Sequence, residues 1–218
     1  MSLRVLIVDD QELFREAIAV LLRRDERIEQ VASVASGAAT IEHLRAHAVD
    51  VVLMDIRMPG MDGIAATREA LRVRPGVRVL ILTTFDLDQY VYAAIREGAS
   101  GFLTKDTGAA ALADAVVAVA AGDAVMSQSA TRSVLGFVRD GVPQAPAGDA
   151  LAVLSEREQE VTRMLAAGAS NERIARSLFV SENTVKTHVK AVLAKLGLPD
   201  RLHVVIWAYE NGVLRPGR

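Results

Sequence analysis

Short apolar segments alternate with amphipathic stretches through about the first 120 residues, and this alternation is the feature that most restricts the fold. The apolar segments are Arg4–Val8, Ile28–Val34, Val51–Met54, Val79–Thr83 and Gly101–Leu103. They are rich in β-branched residues and continuously hydrophobic, which is typical of strands buried on both faces of a sheet. Helical patterns follow them over about 11–24, 36–47, 61–73, 87–97 and 107–121. Repeated β-α units predict an α/β domain with a five-stranded parallel sheet and right-handed crossovers.

The rest of the chain shows no strand pattern. A short helix is predicted over about 129–139, and residues 140–152 carry two prolines and two glycines without periodicity, which is typical of a linker. Four helices are predicted beyond it, bounded by Ser155 and Gly168, by Ser170 and Leu178, by Ser181 and Gly197, and by residues 200 and 211. We therefore predict a first domain over 1–122, a helix and linker over 123–152, and a small all-α four-helix domain over 153–218.

Composition excludes several classes of protein. The chain has no cysteine, which excludes disulfides, cysteine nucleophiles and cysteine-based metal sites. It has neither a G-x-G-x-x-G after its first strand nor a P-loop motif, so dinucleotide and P-loop nucleotide chemistry are not expected. Without an apolar run of ~20 residues or a secretory leader, we expect a soluble, cytoplasmic protein with no membrane partner. Residues 1–149 carry a net charge of −5 and residues 150–218 one of +3, which indicates different partners for the two halves.

Polar residues end four of the five predicted strands. Asp9 and Asp10 follow the first strand, Asp55 the third, Thr83 ends the fourth, and Lys105 follows the fifth. In the flavodoxin-like strand order 2-1-3-4-5, the first and third strands are neighbours, so the three carboxylates should converge at one edge of the sheet. Their mutual repulsion favours Mg²⁺, which prefers oxygen ligands, together with the lysine. The set suits transfer of a phosphoryl group to a carboxylate.

These residues lie in motifs that resemble the receiver domain of two-component response regulators. The motifs are VDD at 8–10, MDIRMPGMDG at 54–63, LTTFD at 82–86 and GFLTKD at 101–106. The resemblance implies that Asp55 is the phosphoacceptor, that Asp10 binds Mg²⁺ directly, and that Asp9 binds it through water. It also implies metal binding by the Arg57 backbone carbonyl, phosphoryl binding by Thr83 and Lys105, a switch role for Phe102, and a pocket shaped by Pro59 and the loop 60–63.

The third predicted helix of the second domain has one apolar stripe and one basic face. The stripe consists of Val185, Val189, Val192, Leu193 and Leu196. Lys186, Thr187 and Lys190 lie away from it, beside small residues, so this face can enter a groove of DNA. Ser181 and Thr184 lie at the helix N-terminus, where they can bind phosphate. A turn of about three residues joins this helix to the preceding one, as in a helix-turn-helix.

Residues 154–161 and 166–197 resemble the LuxR-type helix-turn-helix, and the order of the two domains resembles the NarL/FixJ class of response regulators. By this resemblance, Lys186, Thr187 and Lys190 face the major groove, while Glu158 is a structural acid and Lys195 supports a helix end. The last helix resembles a dimerisation helix through Val204, Val205, Trp207 and Ala208. The implied function is a bacterial transcription factor that is phosphorylated on Asp55 by a sensor histidine kinase, binds double-stranded promoter DNA, and forms a homodimer on phosphorylation or on DNA.

Other functions remain to be weighed against this one. A haloacid-dehalogenase-type phosphohydrolase needs D-x-D-x-[TV], and neither Asp9 nor Asp55 is followed by the second acid. A receiver that is not phosphorylated is disfavoured by the intact pocket. A quorum-sensing regulator needs a ligand cavity rich in aromatic residues, whereas aromatic residues make up 4% of the chain. We also weigh a plain four-helix domain with a charged face. We expect no enzyme activity beyond acceptance and slow loss of phosphoryl on Asp55.

Overall fold

The computed structural model describes residues 2–84, 88–126 and 150–213. Contacts within the chain divide it into two compact units, and the boundary along the chain lies between residues 134 and 135. The predicted helix at 129–139 and most of the predicted linker at 140–152 lie outside the described residues. The domain boundaries at 122 and 152 therefore stay predictions. Among the described residues, no helix is long and apolar enough to cross a membrane.

The first unit is a parallel sheet in the order β2-β1-β3-β4-β5-β6. Its strands are β1 Leu3–Val8, β2 Ile28–Val34, β3 Val51–Met54, β4 Arg78–Thr83, β5 Gly101–Thr104 and β6 Val125–Met126. The predicted order of the first five strands is confirmed, but the prediction of five strands is wrong. Because β6 has only two residues, its sequence carries no periodicity, and it forms by pairing with Gly101 and Phe102 of β5. The sheet consequently extends beyond residue 122.

Helices α1 Glu12–Leu22, α2 Gly37–Ala46, α3 Gly63–Val73, α4 Asp88–Arg96 and α5 Ala109–Ala120 connect the strands. The middle strands are buried along their length except at Arg78, the half-buried first residue of β4, as their continuous hydrophobicity predicts. Helices α1 and α5 cover one face of the sheet, where Ile18, Leu22, Leu112 and Val116 pack against β1, β3 and β4. This packing fixes the strand ends, and with them the polar residues that follow the strands.

The second unit consists of helices α6 Glu156–Ala166, α7 Asn171–Leu178, α8 Glu182–Leu196 and α9 Arg201–Glu210. The predicted caps at Ser155, Ser170 and Ser181 are all present, each accepting a hydrogen bond from a backbone N–H in the first turn. Gly197 ends α8 in the left-handed conformation. Buried side chains from all four helices form a separate core. The four-helix prediction is confirmed over the described residues.

Glu158 joins two helices of this unit. Its side chain completes the capping box with Ser155, and its Oε2 lies 2.6 Å from Lys195 Nζ on α8. The hydrogen bond from Lys195, and then the one from the Ser155 backbone, lower the pKa of the Glu158 carboxyl from 4.5 to about 2. Lys195 thus supports α8 through a contact with α6. The ionised form of Glu158 is the one that stabilises the fold.

We expect Glu158→Gln to lower the melting temperature of the second unit at neutral pH. Because the folded-state pKa is lowered, the contribution of Glu158 is complete above about pH 4.5 and is lost as the pH falls towards about 2. The variant should therefore show a flatter dependence of stability on pH across that interval. Fluorescence of Trp207, the single tryptophan, measures this because it lies on α9 of the same unit. Glu160→Gln, at an exposed pair with Arg157, is the control, and an equal effect of both variants would contradict the assignment.

Candidate functional site

Three carboxylates meet at the carboxyl ends of β1 and β3. These strands are neighbours, with Val8 paired to Met54, so the residues that follow them emerge side by side. Asp9, Asp10 and Asp55 each place a carboxylate oxygen within 4.8 Å of the others. Asp9 and Asp55 are buried, and Asp10 is exposed. The predicted convergence is confirmed, and this set of oxygen donors fits a hard divalent cation such as Mg²⁺.

Lys105 reaches the same point from the end of β5. Its Nζ lies 2.6 Å from Asp9 Oδ2 and 3.3 Å from Asp55 Oδ2, and its side chain is 9% exposed. Thr83, which is predicted to bind the phosphoryl group together with Lys105, is 2% exposed. Its hydroxyl donates a hydrogen bond to the carbonyl of Thr84. In this state, the lysine neutralises the two buried acids while the threonine hydroxyl bonds to the backbone.

Burial dominates the electrostatics of Asp55. It raises the pKa of the Asp55 carboxyl, Lys105 opposes this shift, and the charge of Asp9 adds to it. An ionised Asp55 is therefore stabilised by nearby positive charge and destabilised by its surroundings. Lys105 favours the ionised form of Asp55, which is the form that can act as a nucleophile, and a bound cation would favour it further.

The loop between β3 and α3 approaches Asp55 closely. A side chain at Gly63 would overlap the carbonyl oxygen of Asp55, so only glycine allows this approach. Asp62 caps α3 by accepting a hydrogen bond from Ala65 N at 2.8 Å. A cavity of about 420 Å³ opens beside the acids and is lined by Asp10, Arg57 and Tyr90 among others. It leaves the exposed Asp10 side of the site open to a small molecule. Phe102, the predicted switch residue, is 4% exposed on β5.

Two residues of α1 belong to the site although sequence reasoning did not select them. Lys105 Nζ lies 4.5 Å from the centre of the Phe14 ring, a cation–π distance. Arg15 Nη1 donates a hydrogen bond of 2.7 Å to the backbone carbonyl of Asp9. In the sequence, Phe14 belongs to the apolar face of an amphipathic helix, which carries no sign of a contact with a residue 91 positions away. For Arg15, the sequence indicates a contact with Asp9 only in that the arginine follows the two acids closely along the chain.

We expect Phe14→Leu to slow phosphorylation by acetyl phosphate and Mg²⁺ roughly two- to thirtyfold, since a cation–π contact is worth ~0.5–2 kcal/mol. Leucine keeps an apolar contact with the core but removes the aromatic face that holds the lysine ammonium. Phe14→Tyr keeps that face and should retain the rate, which makes it the matched control. The measurement is the rate of mass increase of the intact protein. An unchanged rate in the leucine variant would contradict a role for the ring.

The exposed face of α8 is the predicted basic one. Val185 and Val192 are fully buried, and Val189, Leu193 and Leu196 pack against the core of the unit, so the predicted stripe is confirmed. Lys186, Thr187 and Lys190 are all exposed. At the N-terminus of the helix, the hydroxyl of Ser181 lies 2.8 Å from that of Thr184 and caps the first turn. Phe179, in a left-handed conformation (φ 55°), forms the turn from α7.

Two residues of the predicted dimerisation set on α9 are buried within the second unit. Val204 and Ala208 are 0% exposed and point into the unit itself, Val204 within its core. They lie four residues apart and so share the inner face of the helix. Val205 and Trp207 are half-buried and remain available to a partner. The sequence did not distinguish these faces because α9 is apolar on most sides.

Comparisons with known proteins identify a family for each half of the chain. Residues 5–117 match the response regulator receiver domain, and residues 152–208 match the bacterial regulatory proteins of the LuxR family. The probable transcriptional regulatory protein NarL of Mycobacterium tuberculosis is 38% identical over 214 residues, which is 98% of this chain and 96% of that protein. The response regulator protein VraR of Staphylococcus epidermidis is 35% identical over 99% of this chain and its own full length.

Solved structures give the same result. The response regulator ChrA of a heme-sensing two-component system is 36% identical, with a TM-score of 0.52 over 98% of this chain and 99% of that one. RcsB of Salmonella typhimurium is 25% identical, with a TM-score of 0.58 over 94% and 97% of the two chains. None of these findings supports a phosphohydrolase. The carboxylate pocket, the helix-turn-helix and these relatives together place the chain in the NarL/FixJ class of response regulators, transcriptional regulators that join a receiver domain to a LuxR-type DNA-binding domain.

Proposed function

We propose that the protein accepts a phosphoryl group on Asp55 from a sensor histidine kinase in the bacterial cytoplasm, and that this controls binding of its second unit to promoter DNA. The observation that carries the proposal is the meeting of three carboxylates and Lys105 at one edge of the sheet. Asp55 follows β3, which lies in the sheet between β1, followed by Asp9 and Asp10, and β4, which ends at Thr83.

In the reaction, an Asp55 carboxylate oxygen forms a bond to phosphorus as the bond from phosphorus to the donor breaks. Asp9, Asp10, Asp55 and the Arg57 carbonyl would hold Mg²⁺, which neutralises phosphoryl oxygens when bound. Lys105 then exchanges its contacts with the acids for one with a phosphoryl oxygen. The Gln11 backbone N–H donates to Asp9 Oδ1 and keeps the carboxylate oriented, while Arg15 holds the Asp9 backbone through its carbonyl.

Phosphorylation can act at a distance only by shifting a two-state element. We assign this element to Thr83 and Phe102. The Thr83 hydroxyl is free to leave its bond to Thr84, which is long at 3.3 Å, for a phosphoryl oxygen. Phe102 of β5 pairs with Ile81 of β4, two residues before Thr83, so the side chains of Phe102 and Thr83 lie on the same face of the sheet. In this proposal, a shift of the threonine towards the phosphoryl group is followed by a movement of the buried Phe102 ring.

The second unit is proposed to bind DNA through α8. Lys186, Thr187 and Lys190 would contact the major groove, and Ser181 and Thr184 a phosphate at the helix N-terminus. The exposure of Ser181, Lys186, Thr187 and Lys190, and the apolar stripe on the opposite face, support this. One such unit buries a small interface, so a homodimer on two half-sites is proposed, with Val205 and Trp207 of α9 at its contact.

We further propose that the unphosphorylated receiver covers residues 182–196, as the opposite net charges of the two halves allow. Gel shifts of the full chain, the phosphorylated full chain and a fragment of residues 150–218 test this. The fragment should bind promoter DNA at least as tightly as the unphosphorylated full chain. Much weaker binding by the fragment would contradict occlusion, and phosphorylation would then act by dimerisation, which sedimentation at several concentrations would detect.

A further inference from the structure

A second cavity lies at the edge of the receiver sheet opposite to the carboxylates. It encloses about 490 Å³ and is lined at the starts of strands, by Leu3, Asp50 and Arg78, and by Arg27, Gly76 and the end of α5. This volume lies within the range of small-molecule sites, which are concave and mostly apolar with a few polar groups. The cavity is made entirely of residues of the first unit.

The floor of the cavity is apolar. Leu3 is 7% exposed, and Val117 and Ala120 are partly buried and pack against the core of the receiver. The last turn of α5, with the small residues Ala120 and Ala121, leaves the opening clear. An aliphatic chain placed here would bury apolar surface on both itself and the protein.

The charges around the cavity sum to zero, but they are unevenly paired. Arg27 is held between Asp25 at 2.6 Å and Asp114 at 2.8 Å. Asp50 is paired with Arg4 at 2.8 Å. Arg78 is half-buried, and its guanidinium has no partner among the described residues. The cavity therefore presents one unpaired positive charge above an apolar floor.

We infer that this cavity is a binding site for a small monoanion with an apolar body, such as an aliphatic carboxylate. The carboxylate pairs with Arg78, and the chain lies on Leu3, Val117 and Ala120. A second anionic group is not accommodated, because Arg27 is already neutralised by two acids and Asp50 repels it. The site is independent of phosphorylation, since it lies at the amino-terminal ends of the strands and shares no residue with the carboxylate pocket.

Calorimetric titration of the full chain with sodium octanoate tests the inference. Two control ligands separate its parts: sodium acetate carries the anionic group without the apolar chain, and 1-octanol carries the apolar chain without the charge. Octanoate should bind with a Kd of roughly 1 mM or tighter, and acetate much more weakly. Arg78→Gln should weaken octanoate at least tenfold and leave octanol unchanged. Arg45→Gln, an exposed arginine of the same unit, should have no effect.

Amide chemical shifts locate the site in the same titration. Changes should concentrate at Gly76, Ala120 and Ala121, and Ala120→Phe, which fills the cavity, should abolish both octanoate and octanol binding. Circular dichroism checks that each variant is folded. If Ala120→Phe does not fold, the octanoate affinity of Arg78→Gln still tests the site. Absence of octanoate binding, equal affinity for acetate, or unchanged affinity in Arg78→Gln would each overturn the assignment.

Discussion

Asparagine in place of Asp55 is expected to abolish incorporation of phosphate from acetyl phosphate and Mg²⁺, and from a cognate kinase. The amide keeps the shape of the side chain but offers no anionic oxygen to attack phosphorus. It also removes a carboxyl group whose pKa is raised by burial, so that the ionised form is costly in the folded protein. The variant should therefore fold and melt at no lower a temperature than the protein with Asp55. Mass spectrometry of the intact protein should show the phosphorylated species for the original chain and none for the variant.

Two further variants separate the roles of the neighbouring acids. Asp106→Asn changes an exposed acid next to Lys105 and should leave labelling unchanged. Asp10→Ala should weaken Mg²⁺ binding first, so that labelling recovers in part at high Mg²⁺. Full labelling of Asp55→Asn would assign the phosphoryl group to another residue and end the proposal for Asp55.

Replacing Lys186 and Lys190 together by alanine is expected to reduce promoter affinity at least about tenfold at moderate salt. A lost phosphate contact weakens all sequences about equally and lowers the salt slope by about 1, whereas a lost base contact costs ~1–3 kcal/mol and relaxes specificity at one position. Both lysines are exposed on one turn of α8, opposite the side chains that hold it in the core, so the unit should keep its fold. Gel shifts at several salt concentrations, with operator and unrelated DNA, distinguish the two kinds of contact.

Arg163→Ala is the matched control for this experiment. Arg163 is an exposed cation of the same unit, but it lies on α6 and bonds to Gln159 within its own helix. Its loss removes one positive charge from the domain, against two in the double lysine variant, and leaves α8 unchanged. If the double lysine variant and the arginine variant bind operator DNA equally well, α8 is not the recognition helix.

Much of the fold follows from local pattern. The buried strands are continuously apolar, because both of their faces are covered, and the first three helices of the second unit begin at serines that can accept hydrogen bonds from the first turn. The polar residues of the pocket were found for the same reason: parallel strands end at one edge, so residues that follow them must meet. The sequence by itself therefore determined the sheet order, the carboxylate pocket and the exposed basic face of α8.

Only the tertiary structure decided which side chains in these patterns touch. Lys105 bonds to Asp9 and Asp55. The Phe14 ring covers its ammonium, because α1 and β5 are brought together by packing across the sheet. Strand β6 exists because the edge of β5 offers it unpaired backbone groups. On α9, apolar residues occupy most sides, so periodicity could not say which pair faces inward, and contact with α6 buries Val204 and Ala208. Local sequence sets which residues can be buried, whereas the choice among them depends on neighbours that lie far along the chain.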